Sequence, residues 1–296
     1  MSCCAMSQSN ESINVNQFNV KQYWMNYSIF YAIKSDNKIV GNLILRTGQL
    51  PLMYELLDAQ NKRLSRVDYS YLVDHDRFDI YDDNNQLLGA TDEYLFKYFP
   101  AFYIYQANSS KPALKAEMNF WGTTFSIYDV QTNKKIAKMS RGFITNSYYW
   151  DFKVSNKQVF DAMNIDQKLL MTAVAIQTDP VLYETSHSSL KKASNPLNNP
   201  KRAEIAADSK QALERVKVVQ QKLGLLDISN LNNELLEAVT KELDSGFINT
   251  DLHRNAVTEQ EKFEAFLQYC LDKVESNDNS DTQKKAIIYL LTSRFQ

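Results

Sequence analysis

The stretch Asp166–Asp179, DQKLLMTAVAIQTD, decides the fold. Within it, from Leu169 to Ile176, only Thr172 is not strictly apolar. A helix that is apolar all round has to be surrounded on every side. Crossing a bilayer takes about 20 such residues, and this run is too short. The expectation is a core helix over about residues 160–178, with Leu169, Leu170, Ala173, Val174 and Ile176 as its structural core and the preceding strands wrapped around it.

Those strands are legible upstream. From Tyr23 to Val154 the pattern is β: Val67, Tyr69, Tyr71 and Val73 alternate with Asp68, Ser70 and Leu72, and Trp150, Phe152 and Val154 alternate with Asp151 and Lys153. Polar breaks at Ser35–Asn37, Asp58–Asn61, Asp82–Asn85 and Gln131–Asn133 read as hairpin turns. The hairpins repeat. Phe78-Asp-Ile80-Tyr81-Asp82, a polar turn, then Leu87-Leu88-Gly89-Ala90 is one copy. Phe125-Ser-Ile127-Tyr128-Asp129 through Ile136-Ala137 is another, Tyr54 through Leu64 a third, and Tyr31 through Gly41 a looser fourth. In each, alternation supplies one buried face, and the Asp side chain can bond the backbone of its own turn. Irregular spacing argues against a solenoid. A closed antiparallel sheet, which removes exposed edges, fits better.

The repeated hairpin, followed by Tyr148-Tyr149-Trp150-Asp151-Phe152-Lys153-Val154 and the Leu169–Asp179 run, resembles the LURP-one-related family of the wider tubby and phospholipid-scramblase group, over about residues 23–179. The resemblance implies a twelve-stranded barrel threaded by an apolar helix, and, by analogy with tubby barrels, recognition of phosphoinositide headgroups by basic residues on neighbouring strands. The chain departs from the family in carrying about a hundred further residues, and it lacks the acidic calcium loop of the scramblase branch.

Past Lys201 the period becomes helical. Leu213, Val216, Val219 and Leu223 mark one stripe, closed by Gly224; Leu231, Leu235, Val239 and Leu243 mark a second. Phe263, Phe266, Leu267, Cys270 and Val274 form the cleanest, with a Thr258/Glu261 capping box at its start. A last helix is expected over Thr282–Leu291. Four short amphipathic helices make a small bundle. The expected organisation is a flexible tail over 1–20, a barrel over 21–180, a linker over 181–203 broken by Pro180, Pro196 and Pro200, and the bundle over 204–296: an α+β protein.

Charge bounds the partners. Net charge is −2; residues 1–180 carry 18 basic and 18 acidic side chains, and the remainder 15 and 17. Neither half is basic, which argues against nucleic acid and leaves any anion site to a local cluster. Cys3, Cys4 and Cys270 make no disulfide framework, and no secretory pattern leads the chain, so cytoplasm is the expected compartment. Palmitate on Cys3 or Cys4 would add peripheral membrane attachment.

No catalytic motif stands out, and no cofactor or metal is implied. Of His75, His187 and His253, only Asp74-His75-Asp76 offers clustered ligands, and adjacent residues there point apart. Asp82, Asn84, Gln86 and Glu93 mimic calcium-loop spacing, but Leu87 stands where the loop needs Gly. The densest basic cluster is Lys134, Lys135, Lys138 and Arg141. Period 2 sets Lys138 and Arg141 on opposite faces, so the four line one pocket only if a bulge intervenes; a solvated turn and strand edge is the plainer expectation. The stripe Phe263–Val274 packs inside the bundle, and Glu259, Glu261 and Glu264 beside it would repel anionic lipid. The expected function is a non-enzymatic binding module, its barrel on a phosphoinositide or membrane surface and its helices on a protein. A protein–protein scaffold without lipid is the alternative.

Overall fold

A computed structural model describes residues 16–25, 28–46, 53–71, 76–94, 98–143, 149–178, 200–225 and 231–295. Cys3, Cys4, Asp74, His75, Tyr148, His187 and most of the expected linker lie outside the described residues.

Twelve strands run in chain order: β1 Gln17–Met25, β2 Ser28–Ser35, β3 Lys38–Arg46, β4 Met53–Leu57, β5 Arg63–Tyr71, β6 Asp76–Asp82, β7 Leu87–Tyr94, β8 Ala101–Gln106, β9 Leu114–Met118, β10 Thr124–Asp129, β11 Lys135–Ser140 and β12 Tyr149–Val154. Each pairs antiparallel with the next, and β1 closes the barrel on β12 from Gln17 opposite Lys153 to Lys21 opposite Tyr149. Closure leaves no edge strand.

The repeated hairpin has a common mechanism. Asp58 Oδ1 accepts from the backbone N–H of Gln60 and Lys62, both at 2.8 Å. Asp82 Oδ1 accepts from Asn84 at 2.9 Å and Gln86 at 2.8 Å. Asp129 Oδ1 accepts from Gln131 at 3.0 Å. The turns then need a left-handed residue, and Asn fills each: Asn61, Asn85 and Asn133 have φ of 62°, 61° and 53°. A register shift follows inside each hairpin, at Leu56/Leu57, Ile80/Tyr81 and Ile127/Tyr128. These Asp and Asn positions are the residues that made the repeat visible in the sequence.

Two helices follow the strands, α1 Lys157–Ala162 and α2 Gln167–Ile176. Leu169 to Ile176 are buried without exception, in one apolar cluster with strand residues such as Val20, Ile33, Leu56, Ile80, Phe125 and Trp150. The helix contacts β2, β3, β5, β6 and β7. Its one polar residue in the run is satisfied: the Thr172 and Ser65 hydroxyls hydrogen-bond at 2.7 Å. Gly89 of β7 marks how close the helix comes, since a Cβ there would stand 2.8 Å from Leu169 Cδ2 and 2.0 Å from the Tyr105 carbonyl oxygen. A single helix over 160–178 does not form. Asn164 takes φ 49°, and Asp166 caps α2 by accepting from Lys168 and Leu169, which leaves Phe160 on the separate α1.

The C-terminal region is helical: α3 Pro200–Lys222, α4 Asn233–Ile248, α5 Asp251–Asn255, α6 Glu259–Glu275 and α7 Asp281–Phe295. The fifth is the short α5, capped by Thr250, and α3 starts at Pro200, a residue favoured in a first helical turn. The capping box forms: Thr258 accepts from the Glu261 N–H at 3.1 Å, and Glu261 accepts from the Thr258 N–H at 2.8 Å. Phe263, Phe266, Leu267, Cys270 and Val274 are all buried.

Residues of one barrel rim enter the core of the helices, which is separate from the core inside the barrel. Hairpin turns gather at one end of the barrel; the connections after β7, β9 and β11 lie at the other, and this second rim carries Tyr98, Phe120 and Trp121. All three belong to the helical cluster. The Phe120 ring lies 4.6 Å from Phe266, 5.6 Å from Phe263 and 6.0 Å from Phe295. Polar contacts ring these aromatics: Tyr98 OH donates to Asp208 at 2.5 Å, Gln260 donates to the same carboxylate at 2.9 Å, and Arg294 donates to the Tyr98 carbonyl at 3.1 Å. Separate folding of the two regions would expose this aromatic surface to water.

Candidate functional site

The basic cluster sits where the barrel rim meets α4. β11 has the burial order exposed, buried, buried, exposed, buried, because Ile136 and Ala137 both turn inward at the register shift opposite Ile127/Tyr128. One extra residue between Lys135 and Lys138 puts both side chains on the outer face, where strict alternation would have parted them. β11 ends at Ser140, and Arg141 is held by its own contacts. Its N–H donates to the Thr123 carbonyl at 2.9 Å, its Nε donates to the Gly122 carbonyl at 3.0 Å, and its guanidinium stands 5.1 Å from the Trp150 ring centre.

The bulge lies between Lys135 and Lys138 and brings three of the four basic residues together. Lys135, Lys138 and Arg141 border one cleft of about 700 Å³; Lys134, in the β10–β11 turn, is outside it. The opposite wall comes from α4: Glu237, Thr240, Lys241, Asp244, Ser245 and Ile248. Three barrel cations therefore face a wall that carries one further cation, Lys241, and two carboxylates, Glu237 and Asp244, across a solvent-open groove.

Its electrostatics are set by burial and mutual repulsion. Lys135 donates to Ser126 Oγ at 2.9 Å, and burial, then Lys138, pull its pKa below the ordinary lysine value. Asp244 is pushed up by burial, against the pull of the Trp121 indole N–H that donates to it at 3.0 Å. Deeper in the joint, Arg294 is brought down to about 10 by burial and by Arg141. Thr240 and Ser245 donate their hydroxyl protons to Glu237 and Glu242 carbonyls of their own helix, at 3.0 and 3.1 Å, and so present only acceptor lone pairs outward. The donors of this set are of the kind that suits an oxyanion: lysines as point charges, one arginine as a directional fork.

Lys241, Phe120 and Trp121 were the residues missed from the sequence. An adjacent Phe-Trp pair in a polar connection was the available signal; nothing tied it to α4. Elsewhere, His253 packs edge-on against Phe247 at 5.2 Å, and the Asp82 carboxylate is engaged by its own turn. Among the described residues no group of three metal-ligating side chains gathers, and no helix is long and apolar enough to cross a membrane.

No protein family and no curated protein matches the chain. An X-ray structure of a protein from Arabidopsis thaliana is similar to it at 9% identity, over 54% of this chain and 91% of that one, with a TM-score of 0.34.

Proposed function

We propose that the protein is a non-enzymatic recognition module whose barrel engages a phosphoinositide headgroup at a membrane surface, with the helical region contacting a protein. The observation that carries this reading is the single cleft bordered by Lys135, Lys138, Arg141 and Lys241. The sequence resemblance to the LURP-one-related family agrees with it, α2 then being the helix that threads a tubby-like barrel. The test is titration of the full chain with soluble inositol phosphates and with phosphoinositide vesicles, at low and physiological salt. Binding should weaken with salt and fall at least tenfold in Arg141→Gln/Lys241→Gln. Absence of binding at low salt would overturn the reading.

A protein scaffold without lipid is the second reading. It is favoured by a groove between α3 and α6 of about 400 Å³, lined by Val218, Val219 and Leu271 with Val218 63% exposed. A partner whose cross-links concentrate at Val218, in a protein that ignores inositol phosphates, would select it.

A further inference from the structure

The outer face of β11, β12, β1 and β2 carries a charge pattern that the cleft does not account for. Lys138 and Lys153 are direct cross-strand partners, both exposed. Like charges directly opposite each other on a sheet oppose folding. Around them stand Lys135 on β11 and Lys34, which pairs with Asn19 of β1, itself the partner of Asp151. None of these four lysines has a carboxylate within ion-pair distance among the described residues. Asp151 is the one acid on this part of the wall; Asp36 lies in the β2–β3 turn, and Asp129 caps the β10–β11 turn.

Lys34 and Lys153 lie toward the hairpin end of their strands, outside the cleft that Lys135 and Lys138 also border. Two exposed apolar residues lie there too: Ile39, 46% exposed beside Lys38, and Val130, 38% exposed in the turn that holds Lys134. A corner of lysines that outnumber the nearby acids, rimmed by apolar hairpin tips, differs from a nucleic-acid surface, which would call for a basic domain and directional arginines. It suits a bilayer, where lysines respond to a diffuse negative potential and apolar tips enter the interface.

We propose that this corner seats the protein on a bilayer carrying anionic phospholipid, with Lys34, Lys135, Lys138 and Lys153 over the headgroups and Ile39 and Val130 dipping below them. The inference rests on the lipid reading above and widens it: Lys135 and Lys138 are shared with the cleft, Lys34 and Lys153 lie outside its lining, and the ligand is general anionic lipid.

The experiment is co-sedimentation of the full chain with phosphatidylserine–phosphatidylcholine vesicles free of phosphoinositide. Each lysine near an anionic surface contributes about fivefold in affinity, so Lys34→Gln/Lys153→Gln, both outside the cleft, should weaken binding by about 25-fold. Lys62→Gln/Lys168→Gln, the same charge change at the β4–β5 turn and beside Asp83 of the β6–β7 turn, across the barrel, should leave binding unchanged. Ile39→Asn/Val130→Asn should weaken the binding that persists at physiological salt. Thermal melts of each variant confirm folding. No vesicle binding at low salt, equal loss in the control pair, or displacement by a short oligonucleotide with no effect of Ile39→Asn/Val130→Asn would each overturn the proposal. Failure here with inositol phosphate binding intact would leave the cleft reading standing. Vesicle binding without inositol phosphate binding would remove the cleft and keep the corner.

Discussion

The two sides of the barrel wall treat charge in opposite ways. On β4 to β7 the arginines are matched: Arg66 meets Asp68 at 3.1 Å, Arg63 stands 3.9 Å from Glu55, and Arg77 bridges Asp79 at 3.0 Å and Asp92 at 3.1 Å. Two of these guanidinium groups also lie over rings, Arg66 on Tyr81 and Arg77 on Tyr105. Asp68 and Asp79 are themselves cross-strand partners, and the neighbouring arginines neutralise that repulsion. On β11 and β12 Lys138 and Lys153 face each other, and Asp151, which Lys138 senses at longer range, is the one acid on those strands. The two walls share strand geometry, hairpin chemistry and core, so the difference lies in side-chain choice alone. A wall that is matched internally has no electrostatic need of a partner; the lysine wall retains repulsion that an anion would relieve.

The largest effect tests the premise that both walls hang on one core. Ala173 and Val174 of α2 are fully buried. Ala173→Asp places an unpaired carboxylate there at a cost of several kcal/mol or more, roughly 3–5. Against a typical stability of about 5–15 kcal/mol, the melting transition should collapse and both walls should be lost together. A soluble variant with a native melting curve would separate the barrel from its helix.

Next comes the matched wall. The Asp92 side chain is only 5% exposed, and Arg77 is the cation bonded to it. Arg77→Gln takes the cation from that carboxylate, leaving it the Tyr105 phenol, and should lower stability in urea by about 2–3 kcal/mol. Tyr105, whose phenol is pushed up by burial and then by Asp92, sits against the same pair. A change below half a kcal/mol would mean that the matching is decorative, as it is for most exposed pairs.

Much of this architecture could be read in advance, for physical reasons that also explain the gaps. Asp58, Asp82 and Asp129 each act within four residues of themselves, so their turns were visible at short range. The same holds for the Thr258/Glu261 box and for Leu169–Ile176, whose all-round burial follows from composition. The bulge at Ile136–Ala137 was less legible, because Ala is indifferent to which face it occupies. The break between α1 and α2 was masked by Met163 and Ile165, which keep the apolar pattern running through a left-handed Asn164. The cleft joins residues 119–143 to 237–248, and no local rule links segments a hundred residues apart. Trp121 reaching Asp244 is a tertiary event.

The lysine wall predicts a smaller effect of opposite sign to Arg77→Gln. Lys153→Glu replaces a like-charge pair opposite Lys138 by an attractive one and should raise stability by about 0.5 kcal/mol. The same change should abolish vesicle binding. A more stable, non-binding variant would mark these lysines as retained for a partner at the expense of the fold. A destabilised one would assign them a structural role and dissolve the contrast between the walls.

The smallest difference is in proton linkage, where an acid from each wall responds with opposite sign. Asp82, at the end of β6, is held below the ordinary carboxylate range chiefly by the Gln86 N–H, then by Asn84. Its contribution to stability is present above the unfolded-state value of 3.8 and is lost as pH falls through the lower folded value. Asp151, on β12, is pushed above that range by burial, partly offset by Tyr149 and Lys138. Its contribution is greatest below the unfolded-state value and is lost as pH rises through the higher folded one. Urea midpoints measured in steps from pH 2 to 6 should therefore diverge. Asp82→Asn flattens the loss of stability toward acid, whereas Asp151→Asn steepens it by removing a group that favours the folded state there. Parallel profiles for the two variants would mean that Asp151 is solvated like any surface acid, and that the lysine wall repels less than its register implies.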